Sequence, residues 1–232
     1  MNWTPPHKPA ELAESRLVEA ILDGSFAINT NLPAERELAQ MLGVTRPTLR
    51  ETLQRLGRDG WIEIRHGKPT RVRNYLQEGS LAVLAAIARR QEHLPPEFVA
   101  NLLSVRRLLA PAYTRLAVER SAAAIAAYLQ DHARLEEDAA AFTTFDWNLH
   151  CALTVASGNP VFTLILNGFE ELYSVMGRLY FELPEARAAS RRFYAQLLDC
   201  ALRQDAHTAS RLVEGVMDEV NLRWTQFFTE ST

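Results

Sequence analysis

Residues 43–56 read GVTRPTLRETLQRL. Leu49, Leu53 and Leu56 recur there at spacings of four and three, the inward stripe of a helix. Arg46 and Arg50, also four apart, therefore share a different face, beside Thr45 and Thr48. Thr45 offers a hydroxyl as N-cap and Pro47 suits a first helical turn. Cations at a helix N-terminus face the positive end of the backbone dipole, a cost that an anionic partner offsets. A recognition helix has this geometry, presenting its N-terminal residues to base edges in a major groove, where arginine pairs with guanine through two hydrogen bonds.

The neighbouring segments supply the rest of such a module. PAERELAQML, residues 33–42, predicts a helix from Pro33 to Gly43 with Leu38, Met41 and Leu42 inward. Two helices joined by a short turn containing glycine make a helix-turn-helix. Upstream, AELAESRLVEAILD (10–23) predicts another helix, its stripe formed by Leu12, Leu17, Val18, Ile21 and Leu22 and its end by Gly24. Downstream, WIEIRHGKPTRVRN predicts a strand with Trp61, Ile62 and Ile64, a tight turn at 66–69, and a return strand from Thr70 to Arg73. This wing carries His66 and Lys68 at its tip, with Arg65, Arg71 and Arg73 close by for phosphates or a minor groove. No nucleophile or carboxylate stands at a spacing that would make His66 catalytic.

Composition agrees with a globular DNA-binding chain: 232 residues, 47% hydrophobic and 23% charged. The net charge of -3 hides a division, because residues 36–73 carry nine basic against four acidic side chains. A local basic field suffices to hold a polyanion. Cys151 and Cys200 show no CxxC spacing and fit buried packing in a reducing compartment. No signal peptide is apparent, and the longest apolar run, LAVLAAIA (81–88), falls short of the roughly 18 residues a membrane span needs. A cytoplasmic protein without a membrane partner is expected.

Beyond a connector at 74–80, alanine-rich amphipathic segments at about 81–92, 96–119, 121–140, 142–157, 160–181, 185–203 and 205–229 predict a helical bundle. The expected fold is thus mainly α: an N-terminal winged helix-turn-helix with a small β-hairpin wing over 1–73, then an all-α helical-bundle effector domain over 81–232. A bundle of that size can enclose a small-molecule cavity. NLLSVRRLL places a cation, Arg106, and apolar wall on one helix, and Asp146 and His150 share a helix face.

The stretch LPAERELAQMLGVTRPTLRETLQRLGRDGWIEIRHGKPT resembles the winged helix of the GntR-type bacterial transcription regulators over some forty consecutive residues. NLLSVR (101–106), ASGNP (156–160), LILNG (164–168) and LYSVMGRLYFELPEAR (172–187) resemble the C-terminal domain of its fatty-acid-responsive FadR branch. The resemblance implies that Arg36, Thr45, Arg46, Thr48, Arg50, His66 and Gly67 contact a double-stranded DNA operator. Pro47 stands where the branch's best-known sequence has threonine, so one side-chain contact is lost. It further implies long-chain acyl-CoA as effector, with no cofactor: Arg106 serves the anionic CoA part, and Tyr173, Tyr180, Tyr194 and Trp224 line an acyl tunnel. Met217 and Val220 replace a glycine and a serine of that branch near the CoA contact, which narrows the mouth or relocates the head group. A homodimer on a palindromic operator follows from the docking geometry of such modules.

Three alternatives differ in class, and the two arginines of the third helix and the basic wing argue against one of them, a protein-interaction module. Related GntR regulators hold a divalent metal with a D-x3-H pair and two later histidines, and respond to small organic acids. Here Asp146 and His150 supply the pair, but the later positions are Tyr194 and Val216, so no metal site is expected. An enzyme would need a Ser-His-Asp set, a carboxylate pair at helical spacing or a glycine-rich phosphate loop, none of which is apparent.

Overall fold

The computed structural model describes residues 8–65, 67–88 and 96–230. The chain divides between residues 93 and 94 into two compact units. In the first, α1 (Pro9–Leu22), α2 (Glu35–Leu42) and α3 (Arg46–Asp59) precede β1 (Ile62–Glu63), β2 (Arg71–Val72), α4 (Tyr75–Glu78) and α5 (Leu81–Ala88). α1 and α2 both pack on α3, burying Leu17, Val18, Ile21, Leu38, Leu42, Leu49, Leu53 and Leu56. Leu12 and Met41, expected inward, are 39% and 61% exposed. Leu38 and Leu42 set the stripe of the two-turn α2 and Met41 falls at its margin, while Leu12 is rotated by about 100° from the buried Ala13.

α2 starts at Glu35 rather than Pro33, after Ala34 in an extended conformation. It ends on Gly43, whose φ of 68° is left-handed and suits a residue without Cβ. Thr45 caps α3, its hydroxyl accepting from the Thr48 amide at 3.3 Å. The wing is shorter than expected: β1 and β2 pair antiparallel over two residues each, Ile62 opposite Val72 and Glu63 opposite Arg71. Ile64, beyond the strand end, is 52% exposed. The expected connector holds α4, which lies against the end of α3. Tyr75 and Trp61 rings are 4.8 Å apart, the Ser80 amide donates to the Asp59 carbonyl, and Gly60 meets Gly79 so closely that a Cβ on residue 60 would clash.

The second unit contains α6 (Pro96–Leu129), α7 (Ala139–Ala156), α8 (Pro160–Asn167), α9 (Glu170–Phe181), α10 (Pro184–Leu202) and α11 (Ala206–Glu230). α6 runs through the middle, packed on α7, α10 and α11, and α7 packs on α8 and α9. Phe142, Leu149, Leu153, Phe193, Leu197 and Val213 belong to the core. The expected break after residue 119 is a kink at Ser121 (φ -147°, ψ 38°). The helix expected over 121–140 ends at Leu129, followed by a 3-10 turn, Gln130–Arg134. α7 begins three residues earlier than expected because Asp138 caps it, accepting from the Ala140 and Ala141 amides. The helix expected over 160–181 is broken, since Gly168 and Phe169 close tight turns onto Ile165 and Leu166.

Candidate nucleic-acid interface and effector cavity

On the first unit, Arg36, Thr45, Arg46, Arg50 and Gly67 are exposed and Thr48 is half-buried, while His66 lies outside the described residues. The first turn of α3 holds no acidic side chain. Arg46 pairs with no acid among the described residues, so its charge is available to a ligand. Arg50 is tethered: its Nε donates to Glu35 Oε2 at 2.8 Å, from the first turn of α2. Periodicity within α3 cannot reveal this pair, because its partners are fifteen residues apart. The wing arginines are likewise engaged. Arg71 reaches Glu63 at 3.0 Å and Glu78 at 3.6 Å, Arg73 approaches Glu78, and Arg65 donates to Asn31. The hydrogen bond from Arg71 holds the Glu63 carboxyl below its ordinary pKa. Lys68, at the exposed tip, stays outside this network.

The second unit encloses a cavity of about 100 Å³ between α6, α7, α8, α9, α10 and α11. Its wall is mostly apolar, with Phe162, Met176, Tyr180, Met217, Val220 and Trp224 among the lining. Tyr180 and Trp224 stack at 6.4 Å. The space is small against the roughly 300–1,000 Å³ of ordinary ligand pockets, and the bulk of Met217 and Val220 stands on its wall.

Polar groups gather on one side. Arg106 donates to Asp146 Oδ2 at 3.2 Å and meets His150 Nε2 at 2.5 Å. Asp146 also accepts from the hydroxyls of Tyr173 and Tyr194, and His150 Nδ1 lies 2.7 Å from Tyr113 Oη. The Arg106 guanidinium lies over the Tyr173 ring at 5.1 Å. Arg106, Tyr173, Tyr180 and Trp224 thus stand together on the cavity wall, whereas Tyr194 is fully buried behind Asp146 and is not part of the lining.

A guanidinium only donates, so Nε2 of His150 must accept and the proton sits on Nδ1. Burial, and next the Arg106 charge, push His150 down to about 3 against the pull of Asp146, so the ring is neutral. Burial opposes ionisation of Asp146, yet the Arg106 charge and the two tyrosine hydroxyls hold it below the usual carboxylate range. Burial likewise works against the charge of Arg106, and Tyr173 and Asp146 more than offset it. One cation, one anion and a neutral imidazole leave the cluster charge-balanced. Arg106 is therefore not the free cation that the anionic part of CoA requires.

The cluster does not fit a divalent metal either. The Arg106 guanidinium already engages both Asp146 and His150, and Tyr194 fills the remaining Asp146 oxygen. Sequence reasoning missed Tyr113, because it falls in the buried stripe Ala110, Tyr113, Ala117 of α6 and reads as core.

His150 makes stability pH-dependent. Its pKa is near 6.5 when unfolded and about 3 when folded, so between these values the unfolded chain binds the extra proton. Stability is full above pH 6.5 and falls as the pH drops, by up to about 1.4 kcal/mol per pH unit for one proton. Urea unfolding of wild type and His150→Gln at pH 7, 6 and 5 checks this. The variant should have a flatter profile, and parallel profiles would exclude His150 as the source.

A winged helix-turn-helix followed by a helical bundle is the domain order of a class of DNA-binding regulators. Residues 9–72 match the bacterial regulatory proteins of the gntR family, and residues 73–230 match the FadR C-terminal domain. A fatty acid metabolism regulator protein of Edwardsiella ictaluri is 43% identical over 212 residues, covering 91% of this chain and 86% of that protein. The protein of the same name from Shewanella halifaxensis is 46% identical over 194 residues, with 84% and 81% covered. Lar, which controls expression of the Listeria monocytogenes agr system, shares the fold at 15% identity, with a TM-score of 0.66 over 97% of this chain and 99% of that one. The chain belongs to the FadR-type regulators of the GntR family, and it is a transcription regulator, not an enzyme. Among the described residues, no helix is long and apolar enough to cross a membrane.

Proposed function

We propose that this chain regulates fatty acid metabolism by binding a palindromic operator as a homodimer in the cytoplasm, and that long-chain acyl-CoA releases it. Residues 1–73 read the operator, 74–80 connect, and 81–232 sense the effector. The observation that carries the DNA half is the exposed, acid-free N-terminal turn of α3, with Arg46 on it paired with no acid among the described residues. Arg36, Thr45, Thr48, Arg50, His66 and Gly67 complete the contact surface, Arg46 and Arg50 reading bases and the rest mainly holding backbone. The effector half rests on the apolar cavity with its single polar side, where Tyr173, Tyr180 and Trp224 contact the chain, Arg106 stands at the polar group, and Tyr194 acts by holding Asp146. A long acyl chain needs more room than the cavity offers, so its entry must displace wall helices. That displacement is the differential interaction through which binding alters the spacing of the two winged helices.

The small volume favours a second reading, a small organic acid without metal. The apolar lining and the balanced charge of the polar side speak against an anion. Arg46→Ala and Arg50→Ala should each weaken operator binding by about 1–3 kcal/mol while leaving effector affinity near wild type. Undiminished sequence-specific binding by either variant would show that the recognition helix is misplaced.

A further inference from the structure

The Tyr113–His150 pair stands on the polar side of the cavity. His150 Nε2 accepts from Arg106, which fixes the proton on Nδ1, and Nδ1 then donates to Tyr113 Oη at 2.7 Å. The Arg106 guanidinium, whose charge acts on that hydroxyl, offers no acceptor. His150 therefore takes a lone pair of Tyr113 Oη and not its proton. Its own proton has no acceptor among the described residues. Tyr113 is 3% exposed and forms part of the cavity lining, and burial keeps its hydroxyl protonated. A buried donor left unmatched is costly, and a ligand that accepts from it recovers that cost.

We propose that Tyr113, oriented by His150, is an effector-binding residue that donates a hydrogen bond to an uncharged oxygen of an acyl ligand in this cavity. The inference rests on the acyl-CoA reading of the same cavity. An uncharged acceptor fits because Arg106 and Asp146 already neutralise each other, so a carboxylate would add unbalanced charge to a buried cluster. Two positions on an acyl-CoA offer such an oxygen, the thioester carbonyl and a hydroxyl or keto group on carbon 3 of the chain. His150 is a positioning residue: its Nδ1–H occupies a lone pair of the Tyr113 oxygen, which leaves the hydroxyl proton for a ligand.

The test is calorimetric titration of the full-length wild type with palmitoyl-CoA, S-hexadecyl-CoA (the thioether without a carbonyl) and 3-hydroxypalmitoyl-CoA, repeated on Tyr113→Phe. If the carbonyl is the acceptor, wild type binds palmitoyl-CoA about tenfold more tightly than the thioether, and Tyr113→Phe abolishes the difference. If the acceptor is on the chain, wild type prefers 3-hydroxypalmitoyl-CoA by a similar factor, and Tyr113→Phe again abolishes the preference. The wild-type comparisons need no variant to fold. Equal affinity of wild type for all three would overturn the inference while leaving the acyl-CoA reading intact, as would preferences that survive Tyr113→Phe. Failure of wild type to bind any of the three would overturn the acyl-CoA reading and the inference with it.

Discussion

Asp146→Ala should destabilise the second unit by about 3–5 kcal/mol, the cost of leaving a buried charge without its partner. Asp146 and Arg106 side chains are only 8% and 20% exposed, so water replaces the lost carboxylate poorly. The same substitution removes the acceptor for two buried tyrosine hydroxyls, Tyr173 and Tyr194. Urea denaturation at pH 7 followed by far-ultraviolet circular dichroism measures the loss. The double variant Asp146→Leu/Arg106→Met should cost less than the two single changes added together, because removing both charges strands neither. Strict additivity would mean that the two residues do not act as a pair.

Operator affinity should fall by about 10³–10⁵ between 50 and 200 mM salt, as expected when roughly six to ten phosphates are neutralised. The proposed dimer would bring two copies each of Arg36 and Lys68 to phosphates, and Arg46 and, less strongly because of Glu35, Arg50 would add to the field that displaces counterions while they read bases. The wing arginines add less, because Glu63 and Glu78 already balance them in part. Lys68→Ala should accordingly lower the salt slope, whereas Arg73→Ala should leave it nearly unchanged. Titration of a labelled duplex across the salt range decides this, and a flat response would exclude a phosphate-dominated interface.

Local pattern made much of the first unit legible. The stripe Leu49, Leu53, Leu56, the Thr45 cap and the Gly43 turn are each set by residues within a few positions of one another, and all appear as read. Margins were less legible: Leu12, Met41 and Ile64 are apolar yet exposed, because stripe width and strand length depend on what packs opposite. In the second unit the break at Gly168 is set by tight turns that an apolar run conceals. The polar cluster was legible only as separate residues. The sequence shows Arg106 as a lone cation, and Asp146 with His150 as a pair on one helix face that supplies only two of four metal ligands and suits a hydrogen-bonded core or pocket. Their meeting across forty or more residues, which cancels the charge of the first and occupies the second, is a tertiary fact.

Fluorescence anisotropy of a labelled duplex carrying a FadR-type palindromic operator, titrated with the protein and then with oleoyl-CoA, free CoA and oleate in turn, tests the central claim most directly. Tight, sequence-dependent binding that oleoyl-CoA alone reverses is the expected result. Binding that oleoyl-CoA leaves intact would contradict the acyl-CoA half and favour a small organic acid, while no preference for the operator over random duplex would contradict the placement of the recognition helix.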